Sequence, residues 1–415
     1  MSGDQGAVDL FRRVPDFRRL WTAGAISQLG DRVSLLALPL LALTVLHASV
    51  LAVSLLRTSQ SLAALAIGLP AGVWCDRLRR RPVLITADLG RAVLFASVPI
   101  AAALHLLGLV QLYVVVFTAG ALTVFFGVAN QSILPSLLPR ADLVAGNARL
   151  QINQSVAATV GPTIGGWLVQ FLSAPVAVLL DALSYLWSAA WLASIRTPEP
   201  KSDRTADRAL LRDIAAGLRF VFGHPIVRAL ALSGTTVFLF QSMYDAIGTV
   251  FLVRDVGLSP GLIGSVSGVA MLAAVLASVL AGRIVGRLGD ARALRWAGVV
   301  MGVGMLAMAL TRSGWWLTWF VLGDAVLGFG IIVAGVVETS YCQTVCPPEL
   351  LGRMNATLRF LMWGMVPIGS VLGGLLATEF GERPVVWLAG AGTLAAVLWL
   401  VCSPVRSGRR LPYES

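Results

Sequence analysis

The chain is short of charge. Only 13% of its 415 residues are Asp, Glu, Lys or Arg, against roughly a quarter in a soluble globular domain. Lysine is almost missing: Lys201 stands alone, a bias that points to a GC-rich genome. Lys201 lies in "PEPKSD", without the glycines of a phosphate-binding loop, so a nucleotide-driven pump is not expected. The three histidines, His47, His105 and His224, fall at segment ends, which argues against a histidine relay. No H-E-x-x-H occurs and no intramembrane histidine sits beside an acid, so no catalytic residue is assigned and an enzyme is not expected. The four cysteines are Cys75, Cys342, Cys346 and Cys402. All four fall at predicted cytoplasmic segment ends, where the compartment is reducing and free thiols are expected. Cys342 and Cys346 share a helix face, but no third ligand accompanies them, so no metal site is assigned.

What the chain has in excess is apolar surface. Hydrophobic residues make up 57% and the mean hydropathy is +0.81, more than one core can enclose, so the solvent for most of the chain is lipid. Twelve apolar segments reach the length that spans a bilayer, about 20 residues. They lie near 18–46, 49–74, 82–106, 109–135, 145–172, 175–195, 226–254, 260–286, 291–311, 315–341, 354–379 and 384–403. Apolar and polar residues do not alternate along them, so helices and not a closed barrel satisfy the backbone. The expected fold is an all-α polytopic membrane protein.

The net charge of +11 is topological. With the N-terminus inside, Arg12, Arg13, Arg18 and Arg19 precede span 1, and Arg77, Arg79, Arg80 and Arg81 follow span 2. Arg140, the segment joining spans 6 and 7, Arg287, Arg292, Arg295, Arg353, Arg406, Arg409 and Arg410 continue the pattern. The alternate loops keep only Arg254, Arg312 and Arg383. This asymmetry places both termini in the cytoplasm and removes the case for a nucleic-acid partner. The opening "MSGDQGAVDLFRRVPDF" lacks a short apolar core with a cleavage site, so no removable signal is expected.

The chain repeats itself. A shift of 210 lays Pro15 on Pro225, Arg18 on Arg228, Gly24 on Gly234, Gly72 on Gly282 and Arg77 on Arg287. A shift of 208 lays Asn147 on Asn355, Gly161 on Gly369, and Gly165-Gly166 on Gly373-Gly374. The expected organisation is therefore a six-helix bundle at 1–196, a cytoplasmic linker at 197–225, a second six-helix bundle at 226–403, and a cytoplasmic tail at 404–415. From about Ala206 the linker takes a helical period, with Leu211, Ile214, Leu218 and Val221 on one face and arginines elsewhere. Such a helix lies in the membrane interface or serves only as a tether.

Between spans 2 and 3 runs "GVWCDRLRRRP". This loop resembles that of the major facilitator superfamily, G-x-x-x-D-R-x-G-R-R/K, with Gly72, Asp76, Arg77, Arg80 and Arg81 in place and Arg79 where the family has its second glycine. The copy in the second half, "AGRIVGRLGDAR", has Gly286 at the Asp position. The resemblance implies two pseudo-symmetric six-helix bundles, with this loop as a conformational latch on the cytoplasmic side. "DFRRLWTAGAISQLGDRVSLLALPLLAL", "NQSILPSLLPRADLVAGNARL", "VGPTIGGWL" and "LLRDIAAGLRFVFGHPIVRAL" look like the 12-span drug/proton antiporter branch that includes siderophore, macrolide and tetracycline exporters. "GPTIGG" is similar to that branch's G-P-x-x-G-G, which symporters generally lack, and supplies Gly161, Pro162, Gly165 and Gly166. One departure is that span 4 lacks the arginine that many drug antiporters carry there.

A charge at mid-bilayer costs about 2.5–3.5 kcal/mol on insertion scales, so intramembrane polar residues are candidate sites. Asp31 is the first, in a stripe with Ser27, Gln28 and Ser34. Asp245 and Asp324 join it as candidate proton-coupling groups, and Asp181 lies in span 6. Gln28, Ser34, Arg57, Asn147, Gln151, Gln154, Gln241 and Tyr244 are the candidate substrate-binding residues, with Phe240 and Trp363 as walls. Arg57 is expected to neutralise an acid such as Asp31 or to bind an anionic group of the substrate. Asp88 and Arg91, three apart, are expected to form a structural pair near the cytoplasmic edge. Together these imply a secondary transporter in the bacterial cytoplasmic membrane, monomeric and without a cofactor, driven by the proton gradient. It would export an amphipathic drug, antibiotic or siderophore-like product in exchange for protons by alternating access. The alternative is proton-coupled symport of a small nutrient.

Overall fold

The computed structural model describes residues 10–197 and 210–404. Among these residues the regular structure is helical throughout, in line with the missing alternation. Eleven helices among the described residues are long and apolar enough to cross a membrane, and a pair bent by 48°, Pro260–Val275 and Val279–Leu288, makes twelve when taken as one span.

The first six spans are α1 (Pro15–Thr44), α2 (Val50–Arg77), α3 (Arg80–Ala103), α4 (Leu109–Leu137), α5 (Leu143–Leu172) and α6 (Ala174–Ala193). A shorter α7 (Leu210–Gly223) follows. Then come α8 (Pro225–Val250), α9 (Pro260–Leu288), α10 (Asp290–Ala309), α11 (Leu317–Val345), α12 (Pro348–Phe380) and α13 (Glu382–Ala395). Prolines occupy the first turn of α6, α8 and α12, where the missing N–H costs nothing. The His224 imidazole caps α8 by accepting from the Val227 N–H, and burial pushes its pKa below the ordinary value.

The helices form two compact units. One holds the residues up to Ala48, those from Ser59 through α6, and the segment Ser259–Gly268. Within it α1 packs on α5 and α6, and α3 packs on α4 and α6. The other holds Ser49–Thr58, α7 through Leu258, and the chain from Val269 onward. Within it α8 packs on α12 and α13, and α10 packs on α11 and α13. The same scheme appears twice, as the repeat in the sequence demands. Each unit also holds ten residues from the opposite half of the sequence.

Glycines explain how those ten residues fit. In the first unit a Cβ on Gly161 would strike the Arg32 stem, and one on Gly165 would lie 3.0 Å from Val33 Cα. A Cβ on Gly166 would strike the Pro260 carbonyl and lie 3.0 Å from Gly264 Cα. The "GPTIGG" stretch is thus a small-residue surface seating α1 with two glycines and the start of α9 with the third. Polar contacts reinforce it: Thr163 donates to the Gly264 carbonyl at 3.2 Å, and the Gly261 N–H donates to Gln170 at 2.9 Å. In the second unit Gly369 meets Leu239 and Ser242, Gly373 would place a Cβ 2.9 Å from Met243 Cα, and Gly374 meets Ser54. The three repeat-related glycines do the same three jobs.

The linker helix differs from its expected face. Val221 is fully buried whereas Leu218 is exposed, so the two do not share an apolar side. Gly217 seats α7 on α12, close to Thr357 and the Arg353 carbonyl, and this contact rotates the helix away from the face its periodicity suggests. The side chains of Leu211 and Ile214 lie outside the described residues.

Gly165→Ala and Gly373→Ala should each lower the unfolding midpoint in detergent by several degrees, because overpacking costs about 1–3 kcal/mol. Gly364→Ala, where a Cβ meets nothing within 4 Å, is the control and should leave the midpoint unchanged. Equal midpoints for all three variants would contradict the packing account.

Candidate functional site: one guanidinium among three carboxylates

Three helices of the first unit converge their charged side chains on one place. α1 brings Asp31 and Ser34, α3 brings Asp88 and Arg91, and α6 brings Asp181, Ser184 and Tyr185. Arg91 donates through Nη2 to Asp88, one turn before it, and its Nη1 lies 3.7 Å from Asp31. Its guanidinium sits 4.3 Å from the Tyr185 ring centroid and 4.5 Å from that of Phe126, held by both faces. The Tyr185 hydroxyl donates to Asp31. Asp181 accepts from Ser34 on one oxygen and from Ser184 at 3.1 Å on the other. Gly30 makes room for this approach: a Cβ there would strike Asp181 and Ser184.

Exposure is graded across the cluster. Arg91, Asp88 and Asp181 are no more than 1% exposed, whereas the Asp31 side chain is 37% exposed. Asp31 is the accessible end of a buried charge network. Three carboxylates face one guanidinium, and a wholly ionised cluster would hold two uncompensated negative charges away from water, a costly state. Added cations balance such a cluster: hydrogen ions inside, or a cationic group reaching Asp31.

A second group of charges lies in the other unit. Arg57 and Asp245 form an ion pair at 3.6 Å, each side chain about one-third exposed (34% and 35%). Asp324 on α11 feels the charge of Asp245, and Tyr244 is buried beside them.

Two expectations are corrected here. Arg57 does not neutralise Asp31; it pairs with Asp245, because residues 49–58 pack with the second unit. Asp88 and Arg91 are no isolated pair at the cytoplasmic edge. Arg91 lies eleven residues, about 16 Å, into α3, where α1 and α6 bring it to Asp31.

Of the remaining candidates, Ser34 is committed to Asp181. Gln28 is half-buried, with its Oε1 enclosed and without a hydrogen-bond partner among the described residues. Gln151 and Gln154 lie on an exposed edge of α5, whereas Asn147 donates to its own helix at the Leu143 carbonyl. Gln241 is half-buried in α8. Phe240 is taken up in packing against Gly392, and Trp363 is exposed beside Phe238, so the aromatic wall is not assembled from them. Arg81 donates to the Leu192 carbonyl at 3.1 Å and to that of Ala193, capping the end of α6, while Arg80 is half-buried. The side chains of Gly72, Asp76 and Arg77 lie outside the described residues. Cys75, Cys342, Cys346 and Cys402 are free thiols, and no metal-binding cluster occurs among the described residues.

Tyr185 and Arg32 are the residues that patterning missed. Tyr185 sits in an apolar helix and reads as packing, although its spacing of four from Asp181 puts the two on one face. Arg32, beside Asp31 in the chain, received no assignment of its own. The structure separates them: Asp31 turns to α3 and α6, and Arg32 lies against α5.

A duplicated all-helical bundle with charge networks inside its spans defines a polytopic membrane transporter. The chain belongs to the Major Facilitator Superfamily, whose family model matches residues 20–364 and 230–415. It is 24% identical to macrolide efflux protein A of Streptococcus pyogenes, over 83% of this chain and 84% of that protein. It is 27% identical to the multidrug efflux pump Tap of Mycolicibacterium fortuitum, over 87% and 88%. Among solved structures it is similar to a bacterial homologue of the iron transporter ferroportin in an inward-facing state, with TM-score 0.76 and 16% identity over 95% of this chain and 99% of that one.

Removing Arg91 should leave its acids without a counter-charge. Arg91→Leu is expected to lose about 3–5 kcal/mol of stability, and Arg91→Leu combined with Asp88→Asn should recover part of it. Thermal unfolding followed by size-exclusion chromatography measures both. A single variant as stable as the wild type would contradict the shared-guanidinium arrangement.

Proposed function

We propose that the protein exports an amphipathic small molecule in exchange for protons by alternating access, as a multi-pass protein of the bacterial cytoplasmic membrane with both termini inside. The observation that carries this reading is the half-exposed Asp31 at the mouth of a buried network with two more acids than bases. Proton exchange then needs no cofactor. A cationic group of the cargo approaching Asp31 supplies the positive charge that a hydrogen ion otherwise supplies, so cargo and proton compete for the same carboxylate. Asp88 lies behind it as a reservoir, linked through Arg91, and Asp181, held by Ser34 and Ser184, is proposed as a second.

In the second unit Asp245 and Asp324 are proposed as auxiliary coupling groups, with Arg57 holding Asp245 when cargo is absent. Gln28, Gln151, Gln154 and Gln241 are proposed to hydrogen-bond cargo. The Gly72–Arg81 loop is proposed as the cytoplasmic latch, its far end fixed by Arg81 on α6. The names of the relatives, a macrolide efflux protein and a multidrug efflux pump, favour export of drug-like compounds. The glycine surface of "GPTIGG" is consistent with an antiporter. The protein is expected to work as a monomer.

Flux in proteoliposomes under an imposed pH gradient tests the reading, with a fluorescent amphipathic cation as cargo. Wild-type protein should move the dye against its gradient, and Asp31→Asn should retain dye binding while losing the gradient-driven component. Equal gradient-driven transport by the variant would remove Asp31 from the coupling site. Movement of dye with the proton, not against it, would support nutrient-type symport instead.

A further inference from the structure

Arg32 is an intramembrane charge that the coupling network does not use. It lies within one turn of the midpoint of α1 and so about 15 Å, half the hydrocarbon thickness, from either headgroup layer. It is exposed, and among the described residues its guanidinium has neither an ion pair nor a hydrogen bond. Its neighbours on the helix surface are incompletely buried: Ala25, Leu29 and Leu36 are half-buried to one side, and Leu35 is exposed on the other. Arg32 therefore lies within an unburied stretch of the α1 surface. A lone guanidinium directed into hydrocarbon at this depth is disfavoured, so its head calls for water or a counter-charge.

The internal repeat shows that packing alone does not require an arginine here. The same glycine contact occurs in the second unit, where Gly369 meets Ser242, the residue 210 positions after Arg32. Ser242 satisfies itself on the Leu239 carbonyl at 2.9 Å. A small residue thus does the same packing job in one repeat, and only the first repeat extends a charged head beyond it. Gly161 holds the Arg32 stem, with a would-be Cβ 3.0 Å from Cγ, so the head projects from a fixed root. One turn earlier, the Gln28 Oε1 is enclosed and lacks a partner.

We propose that Arg32 is a binding residue for an acidic group, a carboxylate, on the transported molecule, so that the cargo includes zwitterionic or acidic amphiphiles. This rests on the reading that the chain carries amphipathic cargo and names a chemical class for it. A planar guanidinium binds a carboxylate through paired N–H donors, and Gln28 offers an amide beside it. In a zwitterionic cargo the acid meets Arg32 while a cationic group reaches Asp31, the next residue in the chain but on another side of the helix.

Equilibrium binding in nanodiscs of phosphatidylcholine, with no gradient, tests the proposal using dansylglycine and its uncharged methyl ester. Wild-type protein should bind the acid about tenfold more tightly than the ester, ~1.4 kcal/mol. Arg32→Gln should bring the two affinities together while leaving the ester unchanged. Arg32→Met, which keeps the stem on Gly161, should behave alike and serves if the glutamine variant does not fold. Equal binding of acid and ester by wild type, or a persisting advantage for the acid in either variant, would overturn the proposal. The readout uses no proton gradient, so failure of Asp31 as the coupling site would leave it standing, and the converse also holds.

Discussion

Within hydrocarbon no solvent compensates a charge, so every ionised side chain in a span must find its counter-charge in the protein, in a wet hollow or in a ligand. Most of this molecule's design follows from that constraint. Arg91 is enclosed by two aromatic rings and serves several acids, and the network it anchors holds α1, α3 and α6 at one level. Because acids outnumber bases there, the place that fixes three helices is also the proposed place of hydrogen-ion exchange. Structural and functional demands meet in the same guanidinium.

Packing between spans answers a different difficulty. Lipid is as apolar as the side chains, so burial of leucine does little to draw helices together, and close backbone approach takes over. The two triplets Gly161, Gly165, Gly166 and Gly369, Gly373, Gly374 do this in parallel, each with two contacts to one span and one to a segment from the other half of the sequence. The repeat is therefore visible as matching contacts and not only as matching letters. Where the copies part company, as at Arg32 and Ser242, both residues pack against a glycine and only Arg32 carries a charged head beyond it.

Much of the fold was legible because the bilayer imposes length and composition. The spans, the duplication and the glycine motif follow from runs of apolar residues and fixed offsets. The site was legible only in part. Asp31 stood out as a polar residue in an apolar run, but its partners did not, since periodicity reports a helix's own faces and not which neighbour each face meets. Arg91 was three residues from Asp88 and looked self-sufficient; the approach of α1 gave it a second acid. Arg57 was expected to neutralise an acid such as Asp31 or to bind an anionic group, and it pairs with Asp245 because the ten residues around it belong with the second unit, which no local pattern reveals. The linker helix turned on Gly217, a contact that hydrophobic periodicity does not register.

In the proposed mechanism cargo and proton share one carboxylate at the mouth of the Arg91 network. The most direct measurement is proton release when an amphipathic cation is added to purified protein in weakly buffered detergent solution near neutral pH. The wild-type protein should release hydrogen ions in step with binding, saturating at the same cargo concentration, and Asp31→Asn should bind with little release. Saturable binding to the wild type without any proton release would contradict the account.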